Sequence, residues 1–192
     1  MGVENNSDNN DNNMKAWMAK GEEIIRISAL IACVVATLVM GLNKESKSIV
    51  VAVVANTSIS QTLTAKFQDT PAFIYFVIAN GIASLYNLSV LSVRFFSKRR
   101  GFDITVHLLD LVILVIVDGA VASASSMAEL GKNGNMAARW SPICNNFSGF
   151  CTHGGFAIAA SFVGALLLLI LTMLSTINAH IAHPSKPQVI LP

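Results

Sequence analysis

Two charged residues, Arg26 and Asp110, lie inside long apolar runs and are the residues best placed to do chemistry. A charge within a membrane span costs about 3 kcal/mol on insertion scales and usually faces a partner or a cavity. Opposite charges at similar depth could form an ion pair that locks helices together, or could line a gate or a proton path. Arg26 alone could instead extend its guanidinium to the lipid headgroups. The sequence leaves these interpretations open.

Asp118 lies eight residues beyond Asp110, about 80° round the same predicted helix. No cationic residue is an obvious partner for it. We expect it to be protonated, to hydrogen-bond to Asn80, Asn87 or a serine of a neighbouring helix, or to contribute to a binding site. With His107, the two aspartates also suit the polar path of a small transporter or channel subunit, which is the alternative function.

Cys144 and Cys151 lie seven residues apart in a polar segment. A disulfide between them would close a short loop and add about 2–3 kcal/mol of stability, whereas the alternative is two free thiols. Trp140, Phe147 and Phe150 flank the cysteines, and we expect these aromatic side chains to face outward as a partner surface or an interfacial belt.

Asn56 and Asn146 begin glycosylation sequons. The sequence has no HExxH, GxSxG, P-loop or dinucleotide motif and no zinc-spaced cysteines. We therefore predict no enzyme activity, no metal site and no cofactor. The net charge of +2, without a long basic face, also argues against a nucleic-acid partner.

Composition indicates which elements must position these residues. Hydrophobic residues make up 53% of the 192 residues and charged residues 12%, against about 25% charged in soluble domains. The apolar residues fall into four runs, 24–42, 72–93, 104–127 and 154–178, each long enough for a helix that crosses the bilayer. The predicted fold is an all-α membrane protein, a bundle of four transmembrane helices.

We place the transmembrane domain at residues 21–180, with a tail on each side and a structured loop between the first two spans. Residues 49–66 are rich in valine, serine and threonine and predict a short β-hairpin in the first extracellular loop. Residues 1–20 begin with an Asn/Asp-rich tract that predicts a disordered cytoplasmic tail, and residues 181–192 form a second cytoplasmic tail.

Four basic residues stand between the second and third apolar runs: Arg94, Lys98, Arg99 and Arg100. Such a loop is typical of the cytoplasmic side of a membrane. With four spans, both termini are then cytoplasmic and the other two loops are extracytoplasmic. An oxidising exterior would allow Cys144 and Cys151 to pair.

Small residues recur at i, i+4 spacing in the fourth run, as in Gly155/Ala159 and Ala160/Gly164, and crowd the end of the third. This spacing lets helix backbones approach closely. The contacts could lie within one bundle or between protomers, and the sequence does not separate the two.

The chain resembles the plant Casparian strip membrane domain protein-like family, most closely its first subfamily. The resemblance covers about residues 20–180 and includes the stretches FIYFVIANGIASLYNL and ELGKNGNMAARWSPICNNFSGFC. The family pattern couples an Arg of helix one with an Asp of helix three, and has a Trp before two cysteines in the second outer loop. The matching positions are Arg26, Asp110, Trp140, Cys144 and Cys151.

The resemblance implies a multi-pass plasma-membrane protein with cytoplasmic termini that is not an enzyme. It implies a scaffold that forms homo- or hetero-oligomers with related tetraspan proteins in the lipid bilayer, builds membrane domains and recruits cell-wall-modifying enzymes. Asp118 departs from the family pattern as an extra acid. The first outer loop is generic, which favours a "-like" member over one that directs Casparian strip formation.

Overall fold

The computed structural model describes residues 4–54, 57–96 and 103–182. The elements are α1 (Glu4–Gly41), β1 (Lys44–Val54), β2 (Thr57–Lys66), α2 (Pro71–Phe96), α3 (Asp103–Asn133) and α4 (Ser148–Ala182), with a short 3₁₀ turn at Phe67–Asp69. Each helix contains a stretch long and apolar enough to cross a membrane: Trp17–Gly41, Pro71–Phe96, Thr105–Asn133 and Ser148–Ile177. The predicted bundle of four transmembrane helices is confirmed.

The helices extend beyond the apolar runs that predicted them. Helix α1 begins at Glu4, where we expected a disordered tail over residues 1–20, and α3 continues past residue 127 to Asn133. Helix α4 begins at Ser148 rather than at residue 154. A helix that is already formed gains a backbone hydrogen bond for each added residue, so it can extend into polar sequence.

The predicted orientation rests largely on residues that the structure does not describe. Lys98, Arg99 and Arg100 lie outside the described residues, as does the chain beyond residue 182. Arg94, at the end of α2, is described and forms an ion pair with Glu22 of α1 at 3.3 Å. The cytoplasmic placement of both termini therefore stays a prediction.

The four helices pack in a square. Helix α1 packs mainly against α2 and α4, and α3 packs against the same two helices. Helices α1 and α3 therefore lie on a diagonal. A side chain that joins α1 to α3 must pass through the centre of the bundle.

Many of the side chains buried inside this square are small, and they pack around a few large ones such as Phe76, Met40 and Leu168. Small buried side chains come from all four helices: Ala29, Cys33, Ala36, Ala79, Ala83, Ala120, Ala124, Ala157 and Ala165. Small side chains allow close contact between helices, which in a bilayer is driven by packing and not by exclusion of water. Large side chains such as Leu85, Val115 and Phe156 point outward, where lipid would contact them.

The chain between α1 and α2 forms the predicted β-hairpin. Strands β1 and β2 pair antiparallel from Lys44 opposite Lys66 to Val54 opposite Thr57. The hairpin is confirmed and is longer than residues 49–66, because pairing starts directly after α1 ends. Its base therefore stays close to the helices, where Glu45 can reach α4.

Gly164 lies at a tight contact between α1 and α4, and a larger side chain there should destabilise the bundle. A Cβ atom at this position would lie 3.1 Å from the Cys33 sulfur and 3.5 Å from the Ala32 Cβ. We expect Gly164→Leu to lower the free energy of unfolding by about 1–3 kcal/mol through overpacking. Gly155→Leu is the matched control on the same helix, since no atom lies within 4 Å of its Cβ position. Thermal unfolding in detergent micelles measures both, and equal losses would contradict this account of the α1–α4 contact.

Candidate functional site

Arg26 and Asp110 meet at the centre of the bundle. The Arg26 Nη1 and Nη2 atoms donate to the two carboxylate oxygens of Asp110 at 2.9 Å and 2.7 Å, and both side chains are 1% exposed. Two parallel hydrogen bonds of this kind fix the relative orientation of the guanidinium and the carboxylate. Because the two residues belong to α1 and α3, the pair joins the helices that lie diagonally.

Helix α2 supplies the remaining partners of this pair. Arg26 Nη1 also donates to the side-chain oxygen of Asn87 at 3.2 Å. The Tyr86 hydroxyl lies 2.7 Å from an Asp110 oxygen, and its ring centroid lies 5.9 Å from the Arg26 guanidinium carbon, within cation–π range. Among the described residues, Arg26 Nε is the one buried polar side-chain atom of this cluster that has no hydrogen-bond partner. We call Arg26, Tyr86, Asn87 and Asp110 the charge cluster.

The charge cluster is suited to holding helices in place. Each carboxylate oxygen of Asp110 accepts a hydrogen bond from Arg26, so neither oxygen is left as an open ligand. Burying two charges costs several kcal/mol for each ion, and good geometry with further hydrogen bonds offsets that cost. Removing either partner would leave the other charge buried and uncompensated.

A second polar contact joins α2 to α4 at another level of the bundle. The Ser161 hydroxyl donates to the side-chain oxygen of Asn80 at 2.8 Å, and both residues are fully buried. The Asn80 amide nitrogen donates to the Phe76 carbonyl one turn earlier at 2.9 Å. Hydrogen bonds between helices specify which faces pack together.

Asp118 lies elsewhere, on the exposed face of α3. The expectation of a hydrogen bond to Asn80 or Asn87 is corrected: those two side chains face the interior and bond to Ser161 and Arg26. Asp110 lies on the face of α3 that points into the bundle, and Asp118, eight residues later, lies on a different face of the same helix.

The residues of the alternative polar path are thus separated. Asp110 is buried in the charge cluster, and Asp118 faces away from the bundle. His107 Nε2 lies 3.3 Å from the hydroxyl of Thr176 on α4. These three side chains do not line one passage, so the geometry gives no support to a transport path built from them.

The structure places the sulfur atoms of Cys144 and Cys151 at disulfide distance, with 5.7 Å between the Cα atoms. Cys144 lies in the loop between α3 and α4, and Cys151 lies in the first turn of α4. Asn146, of the second sequon, is exposed in the same loop. Asn56, of the first sequon, lies outside the described residues.

The aromatic residues beside the cysteines divide into two groups. Trp140 is 54% exposed, as an outward surface requires. The expectation that Phe147 and Phe150 face outward is corrected, since they are only 8% and 5% exposed. Helix α4 begins at Ser148, which turns the two rings into the bundle, and the Phe150 ring lies edge-on to Phe73 at 6.1 Å.

A mainly apolar cavity of about 820 Å³ opens beside this loop. Its walls come from the start of α2, the end of α3, the loop and the start of α4. They include Phe73, Glu129, Lys132, Trp140, Cys144, Phe150 and Cys151. Trp140 and the two cysteines therefore belong to one surface at this end of the bundle.

The base of the hairpin is tied to the start of α4. The backbone amide of Phe150 donates to a Glu45 carboxylate oxygen at 2.6 Å, and the Asn43 side chain donates to the Phe150 carbonyl at 2.8 Å. Lys47 lies 3.3 Å from the other Glu45 oxygen. The hydrogen bond from the Phe150 amide, aided by Lys47, lowers the pKa of the Glu45 carboxyl below its usual value.

This lowered pKa predicts a pH dependence. The folded state favours ionised Glu45, so the contact contributes fully above the pKa of an unfolded glutamate, about 4.3, and is lost as the pH falls below it. We expect Glu45→Gln to flatten the decline in melting temperature between pH 5 and pH 3. Glu23→Gln, at an exposed position on α1, should leave the decline unchanged. Melting temperatures across this pH range measure the effect, and an identical decline in Glu45→Gln would count against it.

Comparison with known proteins gives consistent matches. The family pattern described as the Casparian strip membrane protein domain matches residues 16–167. "CASP-like protein 1B2" of Oryza sativa subsp. indica is 53% identical over 154 residues, covering 80% of this chain and 79% of the relative. "CASP-like protein 1B1" of Sorghum bicolor is 50% identical over 164 residues, covering 85% and 78%. "CASP-like protein 1B2" of Populus trichocarpa is 45% identical over 173 residues, covering 88% and 87%. No solved structure matches.

Proposed function

This chain belongs to the Casparian strip membrane protein domain family, and from that premise we propose that it is a self-associating scaffold of the plasma membrane. It would form homo- or hetero-oligomers with related tetraspan proteins, build membrane domains and organise cell-wall-modifying enzymes. Both termini would be cytoplasmic, and the chain would have no enzyme activity of its own.

The charge cluster is the observation that carries this proposal. Arg26 and Asp110 are 1% exposed and engage each other through two hydrogen bonds. Tyr86 and Asn87 supply further contacts from α2. A transport path needs polar groups that can exchange partners, whereas here they bind one another. The arrangement therefore supports a rigid building block.

The outer end offers a surface for recruitment. We infer that Cys144 and Cys151 form a disulfide on the oxidising side of the membrane, which would hold the loop that presents Trp140. The adjacent cavity would add apolar area for a partner. If this loop is extracytoplasmic, the sequon at Asn146 is a candidate for glycosylation there, and the sequon at Asn56 is a second candidate.

Lateral mobility in the plasma membrane tests the scaffold proposal. We expect a fluorescently tagged full-length chain to form patches that recover slowly after photobleaching. A monomeric four-span protein with the same tag is the control and should recover quickly. Uniform distribution and equally fast recovery of this chain would contradict the proposal.

Proton or ion flux into vesicles tests the alternative of a transporter or channel subunit. We expect vesicles that contain the purified chain to show the same flux as empty vesicles. Flux that is lost on replacing Asp118 with Asn would instead support transport.

A further inference from the structure

The exposed face of α3 contains one line of side chains that runs along the helix. Its residues are spaced at alternating steps of three and four and lie beside other exposed residues; we call them the α3 seam: Leu108, Leu111, Val115, Asp118, Ala122 and Ser125. Residues that repeat every 3.5 positions lie along one line of a helix and mesh with a second helix as in a coiled coil. Since α3 packs against α2 and α4 with its opposite side, the seam is free to meet another molecule.

Asp118 lies near the middle of the membrane. The spanning part of α3 runs from Thr105 to Asn133, and Asp118 is about 20 Å along the helix from the first of these. The hydrocarbon core is about 30 Å thick, so an exposed residue at this position meets lipid and no water. Within the described part of the chain, no hydrogen bond or ion pair reaches Asp118. Intramembrane carboxyl groups rarely face lipid and usually face a partner.

We propose that the α3 seam is the interface between two copies of this chain, with their Asp118 carboxyl groups hydrogen-bonded to each other. The inference deepens the proposed function and rests on it, since it names the contact through which the scaffold assembles.

A second copy of the chain meets the geometric requirements. Two copies in one membrane have the same orientation, so their α3 helices run parallel and a two-fold axis places like residues at the same depth. A seam residue of a parallel pair then faces its own counterpart. A protonated carboxyl of one Asp118 can donate to a carboxyl oxygen of the other. Ala122 and Ser125 are small and allow the helices to come close beyond this point.

Cysteine cross-linking tests the seam. We expect Val115→Cys and Ala122→Cys to give disulfide-linked dimers on mild oxidation in phosphatidylcholine vesicles. Leu85→Cys on α2 and Phe162→Cys on α4 are the controls, because both side chains are exposed near the middle of their spans but lie off the seam. The native Cys33 is buried, and Cys144 and Cys151 lie at disulfide distance from each other, so they give little background.

Energy transfer between donor- and acceptor-labelled copies tests the carboxyl pair. We expect Asp118→Leu to weaken association about tenfold. The hydrogen bond between the helices is lost, and the monomer becomes more stable in lipid because it no longer exposes a carboxyl group. Asp118→Asn should stay within about threefold of the natural chain, because two amides can donate to and accept from each other. Unchanged association in Asp118→Leu would overturn the role of this residue.

The two readouts separate this inference from the proposed function. If the natural chain shows energy transfer but cross-links form at Leu85→Cys or Phe162→Cys and not at the seam, the proposed interface is wrong. Self-association of the chain would still be supported. Absence of energy transfer in the natural chain would overturn both. Cross-links at the two seam positions, with association lost in Asp118→Leu, are the results that we expect.

Discussion

Asp110→Leu and Arg26→Met, each made alone, are expected to leave little folded protein in the plasma membrane. Each substitution leaves one charge buried at the centre of the bundle without its partner, which costs about 3–5 kcal/mol. That loss is a large share of the 5–15 kcal/mol that stabilises a typical protein. The free energy of unfolding in detergent micelles and the fraction of tagged protein at the cell surface measure the effect.

The double variant Arg26→Met/Asp110→Leu sharpens this prediction. It removes both charges and leaves apolar side chains in an apolar interior, so it should be more stable than either single variant. Arg94→Met is the matched control, because its ion pair with Glu22 is partly exposed and such pairs contribute about 1 kcal/mol or less. Equal losses in the control and in the single variants, or additive losses in the double variant, would show that the central pair does not hold the bundle.

Cys151→Ser is expected to have the second largest effect. If the bridge to Cys144 forms in the membrane-inserted protein, its loss frees the loop between α3 and α4 and lowers stability by about 2–3 kcal/mol. The double variant Cys144→Ser/Cys151→Ser should lose no more than the single variant, because both remove the same bond. Unfolding in detergent with and without a reductant measures this contribution.

The reductant provides the control for the cysteine variants. It should destabilise the natural chain to the level of Cys151→Ser and leave both variants unchanged. A natural chain that is insensitive to reductant, with variants of equal stability, would indicate free thiols in this loop.

The spans could be predicted because the bilayer fixes helix length and excludes charge. Four apolar runs therefore predicted four spanning helices, and the valine- and threonine-rich segment after the first predicted the hairpin. The helix ends could not be predicted in the same way. Helix α4 starts at Ser148, in a mixed segment before the continuous fourth apolar run, and its start decides where Phe147 and Phe150 point.

Depth and charge alone suggested that Arg26 and Asp110 could meet. The contact of Arg26 with Asn87 of α2 was missed, although Asn87 and Asn80 stand seven residues apart in an apolar run and so share one helix face. That spacing was a usable signal for an inward polar face. Tyr86 gave no such signal, because tyrosines are enriched at the membrane interface and a tyrosine in a span therefore does not indicate an inward position.

Asp118 shows a different limit of sequence reasoning. An acid in a spanning helix points to a partner, but its direction depends on which side of α3 packs against α2 and α4. The contact between Glu45 and the Phe150 amide was also unpredictable, since it depends on how the hairpin leans over the start of α4. Both features follow from the packing of distant elements, which the local pattern does not encode.

Self-association of the intact chain is the central claim, and native mass spectrometry in a mild detergent tests it most directly. We expect the mass of the full chain, 20.5 kDa for one copy, to appear in multiples that correspond to dimers or larger assemblies. Exclusive detection of the single-copy mass, under conditions that preserve a known membrane-protein dimer, would contradict it.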